Sequence, residues 1–132
     1  MRAVDTNVLV RALVRDDAAQ AAKAEEILAR DEVFVPVTVM LELEWVLRSR
    51  YGFTAEKVAQ ALALLCAMPR VSVGEADAVR QAAARVAKGW DFADALHHAL
   101  SQGCEDFLSF DEQLIKRSAR AVPKAQPPLK RP

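Results

Sequence analysis

The sequence predicts an α/β sandwich in which a central, mostly parallel sheet is flanked by helices. Short runs of β-branched and aromatic residues alternate with longer segments whose apolar residues recur at helical spacing. The chain has 132 residues, of which 52% are hydrophobic and 27% are charged, and this suits one globular domain with its own core. Strands separated by helices pair in parallel, and the helices cover the faces of their sheet.

The first half of the chain is expected to contain two strands and four helices. A short apolar run precedes Thr6 and Asn7, either of which can cap the first helix. The triplet at residues 33–35 favours a strand, and Thr54 can cap the fourth helix, which Pro69 stops. We expect strands at residues 3–4 and 33–35, and helices that end near residues 14, 29, 50 and 68.

The second half is expected to add two strands and three helices. Valines alternate with Ser72 at residues 71–73, and Gly103 follows the sixth helical stretch. We expect strands at residues 71–73 and 107–110, and helices at residues 75–88, 91–102 and 111–120. The last ten residues hold four of the six prolines, so we divide the chain into a domain at residues 1–122 and an extended, proline-rich basic arm at residues 123–132.

Charge is distributed unevenly along a chain whose formal net charge is zero. From residue 113 onward there are six basic residues and no acidic one, which leaves 12 basic and 18 acidic residues in the rest. A basic tail beside an acidic body suggests an anionic partner, although short basic tails can also serve only to keep a chain end soluble.

The sequence also predicts a cytoplasmic location. No apolar run approaches the ~20 residues of a membrane helix, and the amino terminus lacks a secretory pattern. Cys66 and Cys104 match no metal-binding spacing. We expect them to be free, buried thiols in a reducing compartment.

Two aspartates are expected at one edge of the sheet. Asp5 and Asp111 each follow an apolar, strand-like run, and sites in such folds form at the carboxyl ends of strands. Each could instead be a helix N-cap, because aspartate is favoured there. For Asp5 we favour a functional role, since Thr6 and Asn7 are available for capping.

Further acids lie on predicted helices. Helical phase places Glu42 on an apolar face, whereas Glu44 should point to solvent, so Glu42 needs a partner such as a metal or an arginine. Asp91 and Asp94 share one face of the sixth helix. The helix dipole can explain Asp91, in the first turn, better than Asp94.

Carboxylates gathered at one edge repel one another unless a hard cation neutralises them. Mg²⁺ or Mn²⁺ suits oxygen ligands, and a metal-bound water could attack a phosphodiester. His97 and His98 could form a metal pair, but zinc chemistry would need more nitrogen or sulfur ligands. We therefore expect one of these histidines to be packed under the sheet or to touch solvent.

Four sequence segments resemble the PIN-domain ribonucleases, in particular the VapC-type toxin of VapBC toxin–antitoxin systems. The segments are VDTNVLVR at residues 4–11, VPVTVMLELEWVLRSRYG at 35–52, DFADAL at 91–96 and LSFD at 108–111. Their order and spacing agree with the family from residue 3 to about residue 120.

The resemblance implies a PIN-like three-layer sandwich and a metal-dependent endoribonuclease. It implies an acidic triad of Asp5, Glu42 and Asp94 with Asp111 as a more variable fourth acid, so that all four bind Mg²⁺ or Mn²⁺. Other positions match residues that support these acids or bind a second metal: Asp91, Thr6, Asn7 and Ser109. The expected partners are an RNA substrate, a cognate antitoxin protein and a second copy in a homodimer.

RNA would need cations near the acids. Asn7, Arg11 and Arg15 share a helical face by spacing, and Arg48 closes the helix that carries Glu42. We expect Arg11, Arg15 and Arg48 to bind RNA, unless they only solubilise the surface or pair with nearby acids. Arg117 and Arg120, on the last helix, are open to the same two interpretations.

Other classes of function remain open at the level of sequence. A non-catalytic PIN-like module could bind RNA or a protein, although all four acids are present. A haloacid-dehalogenase-like phosphatase would need a second aspartate where Asn7 stands. A receiver domain would need a strand-end aspartate in mid-chain and a later lysine, and no such pair is evident.

Overall fold

The computed structural model describes all 132 residues and contains five strands and seven helices. The strands are β1 Arg2–Ala3, β2 Val33–Val35, β3 Val71–Val73, β4 Phe107–Leu108 and β5 Leu129–Lys130. The helices are α1 Thr6–Val14, α2 Ala18–Arg30, α3 Val37–Ser49, α4 Ala55–Ala67, α5 Ala76–Val86, α6 Phe92–Ala99 and α7 Glu112–Ala119. The predicted α/β class with a parallel sheet is confirmed.

The sheet is parallel but divided. Strands β1, β2 and β3 pair in that order, with Arg2 opposite Val33 and Phe34 opposite Ser72. Strand β4 pairs only with β5, in parallel, and it ends at Leu108. The prediction that Asp5 and Asp111 directly follow strands of one sheet is therefore wrong, because β4 is in a separate sheet and two residues separate it from Asp111.

The segment at residues 123–132 contacts the rest of the chain. Its strand β5 hydrogen-bonds to β4, and Ala125 is buried. The carbonyl of Pro127 accepts a hydrogen bond from the buried side chain of His98. The predicted arm therefore supplies one strand and part of the cover over α6.

The core lies between the three-stranded sheet and the apolar faces of the helices. Val33 and Val35 are fully buried on β2, as are Leu43 and Leu47 on α3 and Leu62 on α4. The closeness of β2 to the end of β3 explains Gly74. A Cβ atom there would lie 3.2 Å from the backbone nitrogen of Val37 and 3.3 Å from the ring of Phe34. No helix has the length and apolar character needed to cross a bilayer.

Two smaller expectations are corrected. Cys104 is exposed and Cys66 is only partly buried, so the cysteines are free thiols but not core residues. Arg15 lies past the end of α1 with a left-handed backbone, at φ 61°, and so it does not continue the helical face of Arg11.

Candidate active site

Asp5 occupies the turn between β1 and α1. It is the N-cap of α1, with its Oδ1 accepting a hydrogen bond from the backbone N–H of Thr6 at 2.7 Å. The expectation that Thr6 or Asn7 caps this helix is therefore wrong. Capping uses only one carboxylate oxygen, and Oδ2 of this exposed side chain has no protein partner. Capping and ligand binding are thus compatible at Asp5.

The hydroxyl of Thr6 donates a hydrogen bond to Oε1 of Glu42. Thr6 is only 5% exposed, whereas Glu42 on α3 is exposed. This contact holds the Glu42 carboxylate at the start of α1, on the residue that follows Asp5. Asn7, the second polar residue of the segment, is exposed and makes no side-chain hydrogen bond.

The expected burial of the two glutamates of α3 is reversed. The buried residues of this helix are Met40, Leu43, Glu44 and Leu47, so Glu44 interrupts the apolar face and Glu42 does not. Glu44 is 4% exposed and pairs with Nε of Arg48 at 2.8 Å. The prediction failed because the apolar residues of α3 occur on more than one side of the helix, so their spacing does not decide which glutamate is buried. In the structure the buried positions are 40, 43, 44 and 47.

Asp91 and Asp94 lie at the start of α6. Asp91 is its N-cap, and its Oδ2 accepts a hydrogen bond from the backbone N–H of Asp94 at 3.1 Å. Burial raises the pKa of the Asp94 carboxyl, and the negative charges of Asp91 and Asp111 raise it further, against smaller opposing effects of His97 and Arg117. Asp94 therefore lies in an environment that opposes its ionisation.

Asp111 is the N-cap of α7. Its Oδ1 accepts hydrogen bonds from the backbone N–H groups of Gln113 at 3.0 Å and Leu114 at 3.1 Å. The hydroxyl of Ser109 accepts a hydrogen bond from the N–H of Asp111 at 3.0 Å, and this contact helps to fix the turn. As at Asp5, the second carboxylate oxygen has no protein partner.

The predicted site residues form two groups in the structure. One contains Asp5, Thr6 and Glu42, and the other contains Asp91, Asp94 and Asp111. No hydrogen bond or ion pair joins the groups, and no three acidic, histidine or cysteine side chains stand close enough together to hold one metal ion.

The candidate ligands are nevertheless chemically suited to a hard divalent cation. Every candidate is a carboxylate, and oxygen is the ligand that Mg²⁺ and Mn²⁺ take in proteins. Three of the aspartates keep one oxygen free of protein partners, and the raised pKa of Asp94 reflects burial first and then like charges that a cation would neutralise.

The three arginines expected to bind RNA all have carboxylate partners. Arg11 bonds to Asp16 at 3.2 Å, and its Nε also donates to Gln20. Arg15 pairs with Glu25, and Arg48 pairs with Glu44. These ion pairs agree with the alternative interpretation, in which the arginines pair with nearby acids.

The two histidines differ. His97 is exposed, whereas His98 is fully buried and contacts Arg85 and Pro127. Sequence reasoning missed Arg85 and Trp90, which lie beside His98. No local signal pointed to this pair, because a spacing of five residues does not place two side chains on one face of a helix.

These features define an α/β domain with a parallel sheet whose helix N-caps carry a set of carboxylates. The PIN domain family model matches residues 2–120, which is most of the chain, and the protein belongs to the PIN-domain family. PIN domains are generally nucleases, and such nucleases generally use divalent metals. A search among curated proteins gave no match.

Proposed function

We propose that this protein is a metal-dependent endoribonuclease in which Asp5, Glu42, Asp94 and Asp111 hold Mg²⁺ or Mn²⁺. The observation that carries the proposal is the environment of Asp94, whose ionisation is opposed by burial and by Asp91 and Asp111. Like charges can lie this close together in a nuclease site when a bound cation compensates them. When bound, the metal would activate water for attack and offset charge on the phosphodiester.

The protein's own side chains would orient these ligands. Backbone N–H groups at the starts of α1 and α7 each bind one oxygen of Asp5 and Asp111, which fixes the direction of the other. Thr6 restrains Glu42 in the same way. Asp91 would support Asp94 by holding the first turn of α6, or bind a second metal, while Ser109 holds the turn before Asp111.

We further propose that the chain is the toxin of a toxin–antitoxin pair and that it forms a homodimer in the cytoplasm. The resemblance to VapC-type toxins supports this role. Large exposed apolar side chains also lie near the acids in sequence: Trp45 on α3, Leu108 on β4 and Phe110 beside Asp111. A contiguous apolar surface formed by such side chains would be a site of protein contact.

The experiment compares the purified parent protein with Asp94→Asn on a mixed RNA pool, with Mg²⁺, with Mn²⁺ and with chelator. Asp77→Asn is the matched control, because Asp77 is fully exposed on α5 and contacts only Arg80. Cleavage that needs metal, persists in the control and disappears in Asp94→Asn is expected. Equal cleavage by all three proteins would indicate contamination or a different site.

The second candidate is a non-catalytic PIN-like module that binds RNA or a protein. It is favoured by the observation that no three candidate ligands stand together. RNA binding without cleavage in any metal would support it over the nuclease. Growth arrest on expression of the parent, absent with Asp94→Asn, would support the toxin role.

A further inference from the structure

A cavity of about 610 Å³ lies between α5, α7 and the residues that follow α7. Five of its lining residues are basic: Arg85, Lys88, Lys116, Arg117 and Arg120. No acidic side chain lines it, and it contains none of the candidate metal ligands. We refer to this cavity with its five cations as the basic pocket.

The cations of the basic pocket lack the carboxylate partners that half of the chain's basic residues have. Nine of the 18 lysines and arginines make ion pairs with carboxylates, and none of those nine lines the pocket. Five of the remaining nine line it. Like charges that lie this close together repel one another. An anion that entered the pocket would therefore be stabilised by all of them.

Arg85 is held in a fixed orientation. Its guanidinium lies 4.6 Å from the centroid of the Trp90 ring, and its Nη1 is 2.7 Å from Nδ1 of His98. A guanidinium can only donate, so Nδ1 of His98 accepts, and Nε2 donates to the carbonyl of Pro127 at 2.7 Å. Arg85 is partly buried and has no carboxylate partner, so an anion that entered the pocket would compensate its charge.

The basic pocket adjoins the candidate active site through α7. This helix begins at Asp111 and carries three of the pocket's cations, Lys116, Arg117 and Arg120. Trp90, another lining residue, directly precedes Asp91, the N-cap of α6. The pocket therefore adjoins the segments that carry Asp91 and Asp111.

We propose that the basic pocket binds backbone phosphates of the RNA strand next to the bond that is cut, with Arg85 as its fixed anchor. The proposal rests on the proposed nuclease function. Trp90 is only 5% exposed and lies against Arg85, so it offers no open face on which a base could stack. The pocket therefore contacts the backbone and not the bases, and it should not discriminate between sequences.

The test is binding of a labelled single-stranded RNA to the full chain in chelator, where metal-dependent cleavage does not occur. The pocket variant is Lys116→Ala with Arg120→Ala, since both side chains are exposed and have no partner in the structure. The matched control is Lys23→Ala with Lys57→Ala, which removes the same charge from exposed, unpaired positions outside the pocket. Circular dichroism confirms that each variant is folded.

The pocket variant should bind RNA more weakly than the control, and equally so for RNAs of different sequence. Each phosphate contact on a single strand contributes about 0.7 to the slope of log affinity against log salt, so two lost contacts should reduce that slope by about 1.4. Equal affinities and slopes for the two variants would overturn the proposal.

Competitors distinguish RNA from other anions. Displacement of RNA from the parent by pyrophosphate, with weaker displacement from the pocket variant, would support phosphate recognition. Binding of polyglutamate that depends on the pocket, together with RNA binding that does not, would instead assign the pocket to an acidic protein segment and overturn the proposal. A parent that never cleaves RNA would refute the nuclease, while the binding measurement would still decide the role of the pocket.

Discussion

The buried hydroxyl of Thr6 and the exposed carboxylate of Glu42 form a hydrogen bond between residues 36 positions apart. The contact joins the first turn of α1 to the middle of α3 and holds Glu42 against the residue that follows Asp5. Thr6 is therefore more than a neighbour of the first aspartate, because it fixes the position of a second candidate ligand.

Replacing Thr6 with valine keeps the buried volume but removes the donor. We expect a loss of about 1 kcal/mol in the free energy of unfolding, typical of one hydrogen bond. Cleavage should fall about 10- to 100-fold, as it does when a group that orients a metal ligand is lost. Urea unfolding and cleavage rates measure these effects. Thr6→Ser should restore most of the activity, and full activity in Thr6→Val would refute the orienting role.

Asp94→Asn should stabilise the protein at neutral pH in metal-free buffer. Burial, Asp91 and Asp111 raise the pKa of Asp94, so the folded chain binds its proton more tightly than the unfolded chain. This contribution to stability is complete below the ordinary aspartate pKa of about 3.9, and it is lost as pH rises through the raised pKa. Asparagine does not ionise, so the variant avoids this loss of stability at neutral pH.

The gain in Asp94→Asn should therefore shrink as the pH is lowered. Urea midpoints at a series of pH values measure it, with Asp77→Asn as the control for loss of an exposed charge. Added Mg²⁺ should stabilise the parent more than Asp94→Asn. A stability difference that does not change with pH would contradict the like-charge environment of Asp94.

Arg48→Ala should destabilise the fold by about 1 to 3 kcal/mol, the usual cost of leaving a buried polar group without its partner. Glu44 is almost fully buried, and Arg48 is its ion-pair partner. A second change, Glu44→Gln in the Arg48→Ala background, should recover part of the loss because it removes the buried charge. Thermal unfolding of the single and double variants measures both effects, and an additive double variant would contradict this coupling.

His98 should make the protein sensitive to mild acid. Burial lowers the pKa of this imidazole, and Arg85 lowers it further, against an opposing effect of the Pro127 carbonyl. The stability gained from neutral His98 is present above the ordinary histidine pKa of about 6.5, and it is lost as pH falls through the lowered pKa. A second proton would occupy Nδ1, which accepts from Arg85.

Unfolding of the parent and His98→Gln at about pH 7 and about pH 5 tests this expectation. Glutamine offers one donor and one acceptor without titrating in this range, so the variant should lose less stability on acidification than the parent. Equal losses in both proteins would show that other groups cause the acid sensitivity.

Much of the fold could be predicted from local sequence. The cap at Thr54, the valines of β2 and β3 and the stop at Pro69 act over a few residues, so their effects are visible in the sequence. Asp5, Asp91 and Asp111 were also visible, because each precedes a predicted helix, whereas Glu42 was singled out for a burial that the structure does not show.

The order of strands and helices and the carboxylates at their junctions follow from local sequence, since capping, turn formation and apolar periodicity are local effects. Three features appear only once the chain is packed: Glu44 and not Glu42 is buried, Arg11 and Arg15 have carboxylate partners, and five unpaired cations share one pocket. These outcomes depend on which helix faces meet and on charges brought together from distant positions. Neither the spacing of residues nor the total charge of the chain encodes them.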